Sequence, residues 1–259
     1  MKKFLSIALA LLMVCVMLPV VALAAEKTAS TYEELKSAIS TANDGDTIKL
    51  LADIDLSQTI TVNKTITLNM NGKKLYNTSD LCDKPTAEAN NWSLISVRGS
   101  GNLTITGNGT FAAKENDCYA VDVQESATVT IKNGTFIGNI HAVYVFAGTA
   151  NVEGGTYSVQ QKYPDSAKGD EFVLNCYDAN RANGTARINV TGGTFKNFNP
   201  ADNKAEGEGN NFADNSLVVQ KNNTVQNNDY YVGNAANEVI AAASKGEEIF
   251  VLNGTTLTN

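Results

Sequence analysis

Four short segments carry the residues best suited to chemistry: Ser93-Leu-Ile-Ser-Val-Arg98, Tyr119-Ala-Val-Asp-Val-Gln124, His141-Ala-Val-Tyr-Val-Phe146 and Phe172-Val-Leu-Asn-Cys-Tyr177. Each alternates apolar with polar or aromatic residues, the pattern of a strand with one buried face. Aligned, the alternation sends Ile95, Val121, Val143 and Leu174 inward, together with Val97, Val123, Val145 and Cys176. Ser93, Tyr119, His141 and Phe172 also read as inward, near a corner. Ser96, Asp122, Tyr144 and Asn175 point outward, followed one pleat later by Arg98, Gln124, Phe146 and Tyr177. Aromatic faces stack on sugar rings, while Asp, Asn, Gln and Arg hydrogen-bond hydroxyls. With Trp92, the only tryptophan, this outward strip is the expected ligand site. The competing reading is an ordinary solvated sheet face built from good strand formers.

Other chemistry is poorly supplied. A single histidine excludes a multi-histidine metal site and any mechanism that needs two. His141, between Ile140 and Ala142, reads as an inward, hydrogen-bonded side chain beside Tyr119 and Phe172. Lys and Arg number 20 against 27 Asp and Glu, for a net charge of −7. That balance disfavours a nucleic-acid partner, since phosphate contacts need clustered cations. The three longer insertions, Asn77 to Asn91, Ala112 to Asp117 and Gln160 to Asp170, carry Asp80, Asp83, Glu88, Glu115, Asp117, Asp165 and Asp170. A Ca²⁺ site could draw on such acids. No EF-hand or nonapeptide calcium pattern is present, so solvated charge and no cofactor are expected.

The strip needs a scaffold that stacks its strands, and a repeat supplies one. Leu103-Thr-Ile-Thr-Gly-Asn-Gly-Thr-Phe111, Val129-Thr-Ile-Lys-Asn-Gly-Thr-Phe136, Ala150-Asn-Val-Glu-Gly-Gly-Thr-Tyr157 and Ile188-Asn-Val-Thr-Gly-Gly-Thr-Phe195 are copies of one phrase. Ile66 to Leu75 is a weaker copy. The glycines before Thr, at 109, 134, 155 and 193, are spaced by 25, 21 and 38 residues. The insertion Gln160 to Gly169 accounts for the long interval. A period in this range marks a solenoid or propeller, but a four-stranded propeller blade needs about 40 to 50 residues. Strands of three to five residues cannot bury a face alone; stacked coils give each a neighbour above and below. The expected fold is therefore all-β, a right-handed parallel β-helix, over about residues 47–226.

The ends differ. Ser30 and Thr31 precede Glu33 and Glu34 by three residues, a capping-box pattern, and Tyr32, Leu35, Ala38, Ile39 and Ala42 follow helical spacing. Residues 25–46 thus read as an N-terminal capping helix, and 227–259 as a helix–strand cap with its helix over Ala235 to Ser244. Before them, Lys2-Lys3, an apolar run from Phe4 to Leu23 and the small-x-small Ala22-Leu-Ala24 read as a signal peptide over residues 1–24. An uncleaved anchor is the alternative. A secreted or cell-surface protein with no membrane anchor after cleavage is expected. The Asn-x-Ser/Thr triplets at Asn108, Asn133 and Asn183 read as corner residues.

The GGTF/NGTF coils and the entry Tyr32-Glu-Glu-Leu-Lys…Asp46-Thr-Ile-Lys-Leu resemble secreted bacterial β-helix proteins of the pectate-lyase-like type, in particular an uncharacterised adhesin-like or surface subgroup. So does the run Asn197-Phe-Asn-Pro-Ala-Asp-Asn203 with Glu206-Gly-Glu-Gly209 and Asn211-Phe212. The likeness covers most of the chain after residue 24 and implies fold more than activity. A calcium-dependent lyase of that kind would need an acidic cluster and a nearby Arg or Lys; Asp122 and Arg98 are a thin version of it. A pectin-type hydrolase would carry an Asp-Asp pair and a Gly-His-Gly turn, both missing here. The expectation is a non-enzymatic module binding a glycan or a surface protein, with a polysaccharide lyase or glycoside hydrolase as the alternative.

Removal of the signal leaves Cys82, Cys118 and Cys176. Cys82 and Cys118 both lie in insertions before the column strand, in adjacent coils about 4.8 Å apart. A disulfide spans Cα separations of about 4.4–6.8 Å. A Cys82–Cys118 disulfide is expected, with Cys176 a buried thiol; three reduced cysteines are the alternative.

Overall fold

The computed structural model describes residues 23–82, 92–161, 171–202, 211–214, 216–224, 227–233 and 250–251. The signal segment up to residue 22 and the helix expected over 235–244 lie outside them.

The chain winds through five full coils of three strands and a sixth of two. The coils are β2 (Thr47–Leu50), β3 (Ile54–Asp55) and β4 (Ile60–Val62); β5 (Thr65–Asn69), β6 (Lys74–Tyr76) and β7 (Ser93–Val97); β8 (Asn102–Thr106), β9 (Thr110–Ala112) and β10 (Tyr119–Val123). They continue as β11 (Thr128–Ile131), β12 (Thr135–Gly138) and β13 (Val143–Val145); β14 (Gly148–Val152), β15 (Thr156–Val159) and β16 (Leu174–Cys176); and β17 (Ala186–Val190) with β18 (Gly193–Lys196). Equivalent strands pair in parallel, giving a first sheet β2-β5-β8-β11-β14-β17, a second β3-β6-β9-β12-β15-β18 and a third β4-β7-β10-β13-β16. This is a parallel β-helix. Leu35, Val121, Val143, Val145, Val152, Leu174 and Val190, expected inside, are all buried.

The repeated Gly-Thr-aromatic phrase builds the spine of the second sheet. Phe111, Phe136, Tyr157 and Phe195 stack in one interior column, with centroid spacings of 4.8, 5.1 and 5.0 Å and nearly parallel rings. The Tyr157 hydroxyl is buried with the rings and donates to the Gly154 carbonyl at 2.6 Å. Gly155 turns the chain at φ 101°, and a Cβ there would press on the Gly134 carbonyl and the Tyr157 hydroxyl. Glycine is the residue that takes this conformation without strain.

Helix α1 (Tyr32–Thr41) buries Leu35, Ala38 and Ile39 in the common core. Thr31 is its N-cap and accepts from the Glu34 amide at 3.2 Å, while the Glu34 carboxylate reaches back to the Ser30 amide at 2.7 Å. Ahead of the helix, β1 (Glu26–Ala29) pairs in parallel with β2 and extends the first sheet by one strand. The sequence did not announce it, because Glu-Lys-Thr-Ala has no apolar alternation.

The far end departs from expectation. Parallel pairing stops at β18, short of residue 226. β20 (Asn227–Gly233) adds to β18 antiparallel, β19 (Leu217–Thr224) pairs antiparallel with β20, and β21 (Phe250–Val251) with β19. Period-2 alternation reports which face is buried and is blind to strand direction. Among the described residues no helix is long and apolar enough to cross a membrane.

Candidate functional site

The third sheet carries the expected column in the expected register. Ser96 faces Asp122, Asp122 faces Tyr144, and Tyr144 faces Asn175 across successive parallel ladders. Its outer face is nevertheless not a solvated strip. Ser96 and Asp122 are fully buried and Gln124 nearly so. The row one pleat further folds back over them. Gln124 Nε2 donates to both oxygens of Asp122, at 2.8 and 2.9 Å; Ser96 Oγ donates to Asp122 Oδ2 at 3.1 Å; and Arg98 Nε donates to Ser96 Oγ at 2.9 Å. Polar side chains two apart on one strand thus satisfy one another instead of water.

Burial pushes the Asp122 carboxyl up to about 6; the Gln124 and Ser96 hydrogen bonds and the Arg98 charge pull against that rise without cancelling it. A carboxyl near 6 is half-ionised in mildly acid conditions, within the range useful to a proton donor or acceptor.

Above Asp122 the aromatic side chains form a cleft of about 250 Å³, lined by Trp92, Tyr119, Asp122, Gln124, Tyr144 and Phe146. Trp92 is 49% exposed and Phe146 39%. Asp122 is the floor, with no surface open to solvent until its neighbours part. Trp92 stacks on Tyr119 at 6.3 Å and Tyr119 leans on Tyr144 at 5.2 Å. Phe146 stacks on Tyr177 at 4.8 Å, so Tyr177 extends the apolar surface beyond the cleft. Of the expected residues, Trp92, Asp122, Gln124, Tyr144 and Phe146 converge on the cleft. Ser96 and Arg98 brace its floor, and Asn175 turns to His141.

The corner row is corrected. Tyr119 and His141 were expected to point inward, but both rings pack against Tyr144 on the outer face, His141 at 5.2 Å and nearly parallel. The alternation breaks one residue earlier than the sequence pattern suggests. Ala120 and Val121 are both fully buried, as are Leu94 with Ile95 and Ala142 with Val143. Two consecutive core residues interrupt the alternation, within β7 and β10 at Leu94 and Ala120 and just before β13 at Ala142, and the side chains of Tyr119 and His141 ahead of the interruption lie on the outer face. The paired small and branched residues, Ala120-Val121 and Ala142-Val143, were the available signal for Tyr119.

His141 is a buried wall support. Its Nδ1 lies 2.7 Å from the Phe172 carbonyl, so Nδ1 carries the proton, and Nε2 faces the Asn175 amide at 3.4 Å. Burial holds it down at about 4, so the ring is neutral in ordinary buffers. The turn that delivers it is tight: a Cβ on Gly138 would collide with the His141 carbonyl.

Beside the cleft, the insertions bring Cys82, Asp117 and Cys118 together, with their sulfurs and a carboxylate oxygen all within 4.8 Å of one another. Both cysteines stand as free thiols, as does Cys176, which is buried. Among the insertion acids, Asp80 pairs with Lys114 at 2.5 Å. Asp83, Glu88, Asp165 and Asp170 lie outside the described residues. A second cleft, of about 330 Å³, opens beside β17 and is lined among others by Arg181, Arg187, Phe212 and Asp214. None of the expected ligand residues reaches it. No family model, curated protein or solved structure matches the chain.

Proposed function

We propose that the chain is a secreted or cell-surface binding module of the pectate-lyase-like kind that its coils resemble, and that the third-sheet cleft receives carbohydrate. The observation that carries this reading is the cleft itself. Four aromatic side chains, Trp92, Tyr119, Tyr144 and Phe146, surround a hydrogen-bonded floor of Asp122 and Gln124. Apolar walls with a few fixed polar groups are the usual composition of a small-molecule site, and flat aromatic faces beside amide and carboxyl groups match the two faces of a sugar. The rigid coil below holds these side chains without a folding cost on binding.

The mechanism is recognition. A pyranose would lie against Trp92 and Phe146, the two exposed rings that line the cleft itself, while Gln124 and the Tyr119 and Tyr144 hydroxyls meet its hydroxyl groups. A polysaccharide lyase or glycoside hydrolase is the second reading, favoured by one observation, the raised Asp122 carboxyl. Among the described residues it finds no support in a second acid, because two-carboxylate hydrolysis needs a partner and Asp122 is the only described carboxylate lining the cleft.

The test is a glycan array beside a polysaccharide degradation panel. Binding without product release is expected. Trp92→Ala should weaken a retained glycan by roughly tenfold, about 1.4 kcal/mol, with little change in melting temperature, since the ring is half exposed. Release of reducing ends or unsaturated sugars, abolished by Asp122→Asn, would replace the binding reading with the enzymatic one. Full affinity in Trp92→Ala would move the site elsewhere.

A further inference from the structure

We propose that Cys82, Asp117 and Cys118 bind a thiophilic divalent cation of the zinc class, clipping the second coil to the third beside the aromatic cleft. The three donor atoms already lie within 4.8 Å of one another. Zinc binds thiolate at about 2.3 Å and carboxylate at about 2.1 Å in tetrahedral sites, which spaces donors by roughly 3.5 Å. Cys118 is fully buried and Cys82 half-buried. Small side-chain rotations that draw the three donors closer together complete three corners of the tetrahedron. The fourth position falls to solvent, as in zinc sites with three protein donors.

The carboxylate is oriented for this role. Asp117 Oδ1 accepts from the Leu81 and Cys82 amides, each at 3.0 Å, and Oδ2 accepts from the Leu81 amide at 3.0 Å and from Asn77 Nδ2 at 2.5 Å. Leu81 shares one proton between the two oxygens. The Cys118 thiol is a fourth partner of this carboxylate, and the place it holds passes to the cation when the thiol gives up its proton. Hydrogen bonds of this sort fix the carboxylates of metal sites. The same bonds draw the Cys82 backbone against the coil that carries Cys118.

The hydrogen bond with Cys82, burial and the Asp117 charge all push the Cys118 thiol upward. On cation binding, two S–H bonds give way to two S–metal bonds and two protons pass to the buffer; no electron moves. Cys118 immediately precedes Tyr119, and the Cys82 insertion leads into Trp92, which stacks on Tyr119. The cation would thus stiffen one wall of the cleft. That last consequence rests on the glycan reading; cation binding does not.

The full-length exported protein, reduced and stripped with a chelator, is titrated with Co²⁺ and then Zn²⁺ in the absence of any sugar. About one metal per chain is expected by elemental analysis, with tetrahedral ligand-field absorption and thiolate-to-cobalt charge transfer, both erased by Zn²⁺. Cys82→Ser should abolish the thiolate signature and Asp117→Asn should weaken binding at least about tenfold. Cys176→Ser should bind as the parent does. Cys82 is half-buried, so its variant carries the test if Cys118→Ser does not fold, and circular dichroism checks the fold of each. Absence of the cobalt signature in folded parent protein overturns the proposal. So does unchanged binding by Cys82→Ser. A Cys82–Cys118 bridge in protein isolated with its thiols blocked overturns it in favour of the disulfide.

Discussion

Asp122 is the residue whose surroundings decide most. Its hydrogen-bond partners Ser96 and Gln124 were visible in the sequence as outward positions, yet its burial was not. Burial depends on Gln124 and Arg98 curling back along their own strands, a choice of side-chain rotamer that alternation does not encode. The energetic sign follows from the shift. The folded carboxyl sits near 6, above the ordinary aspartate value of 3.8, so the folded state holds a proton that the unfolded chain has already lost between those two values. Stability from this group is fully present below about 4 and lost as pH rises to about 6, by at most about 3 kcal/mol. Asp46 works the other way. The Ala25 and Asn43 amides bond its carboxylate and hold it below its ordinary range, so its contribution is lost as pH falls. The difference between parent and Asp122→Asn isolates the first effect: the parent should lose melting temperature relative to the variant between pH 4 and 6, and the gap should be constant above. A gap that does not depend on pH would show that Asp122 is not shifted upward.

At the scale of the element, the second-sheet ring column and the third-sheet cleft differ in how openly the sequence announced them. The Gly-Thr-aromatic corner recurs with nearly the same letters in four of the six coils, because those four face the same steric problem at that corner. The cleft does not recur. It depends on Trp92, Tyr119, Tyr144 and Phe146 occupying four different positions, one of which, Tyr119, lies outward because the buried pair Ala120-Val121 breaks the alternation. The ring column itself should be stiff to change. Phe136 stacks between Phe111 and Tyr157 and is fully buried. Phe136→Ala should therefore cost about 3–5 kcal/mol, the range for a large aromatic removed from a core. Denaturant midpoints read this directly; a loss below about 1 kcal/mol would mean that the rings do not pack as a continuous column.

At the scale of the whole molecule, one coil resembles the next, and what the sequence concealed was where the resemblance stops. Nothing in the alternation of residues 217–233 distinguishes another parallel coil from a hairpin running both ways, so strand polarity had to come from the structure. The polarity reversal at β18 has a bearing on assembly. A solenoid whose last layer offers the same parallel edge as its first is a staircase with no top step: a second chain can dock head to tail, and a contact of that kind propagates without closing. By laying β20 against β18 in the opposite sense, and β19 and β21 beyond it, the chain ends its second sheet in a layer that matches no coil of another copy. The first sheet is shielded more lightly, through the Val190 amide at the edge of β17, which donates to the Phe212 carbonyl at 2.8 Å. A chain cut after Lys196 should keep its coils and lose this terminator. Light scattering after size exclusion should then find mass that grows with concentration, where the full chain stays constant. The reversed strands would act as a stop codon written in backbone direction, deciding how many molecules long the solenoid is allowed to become.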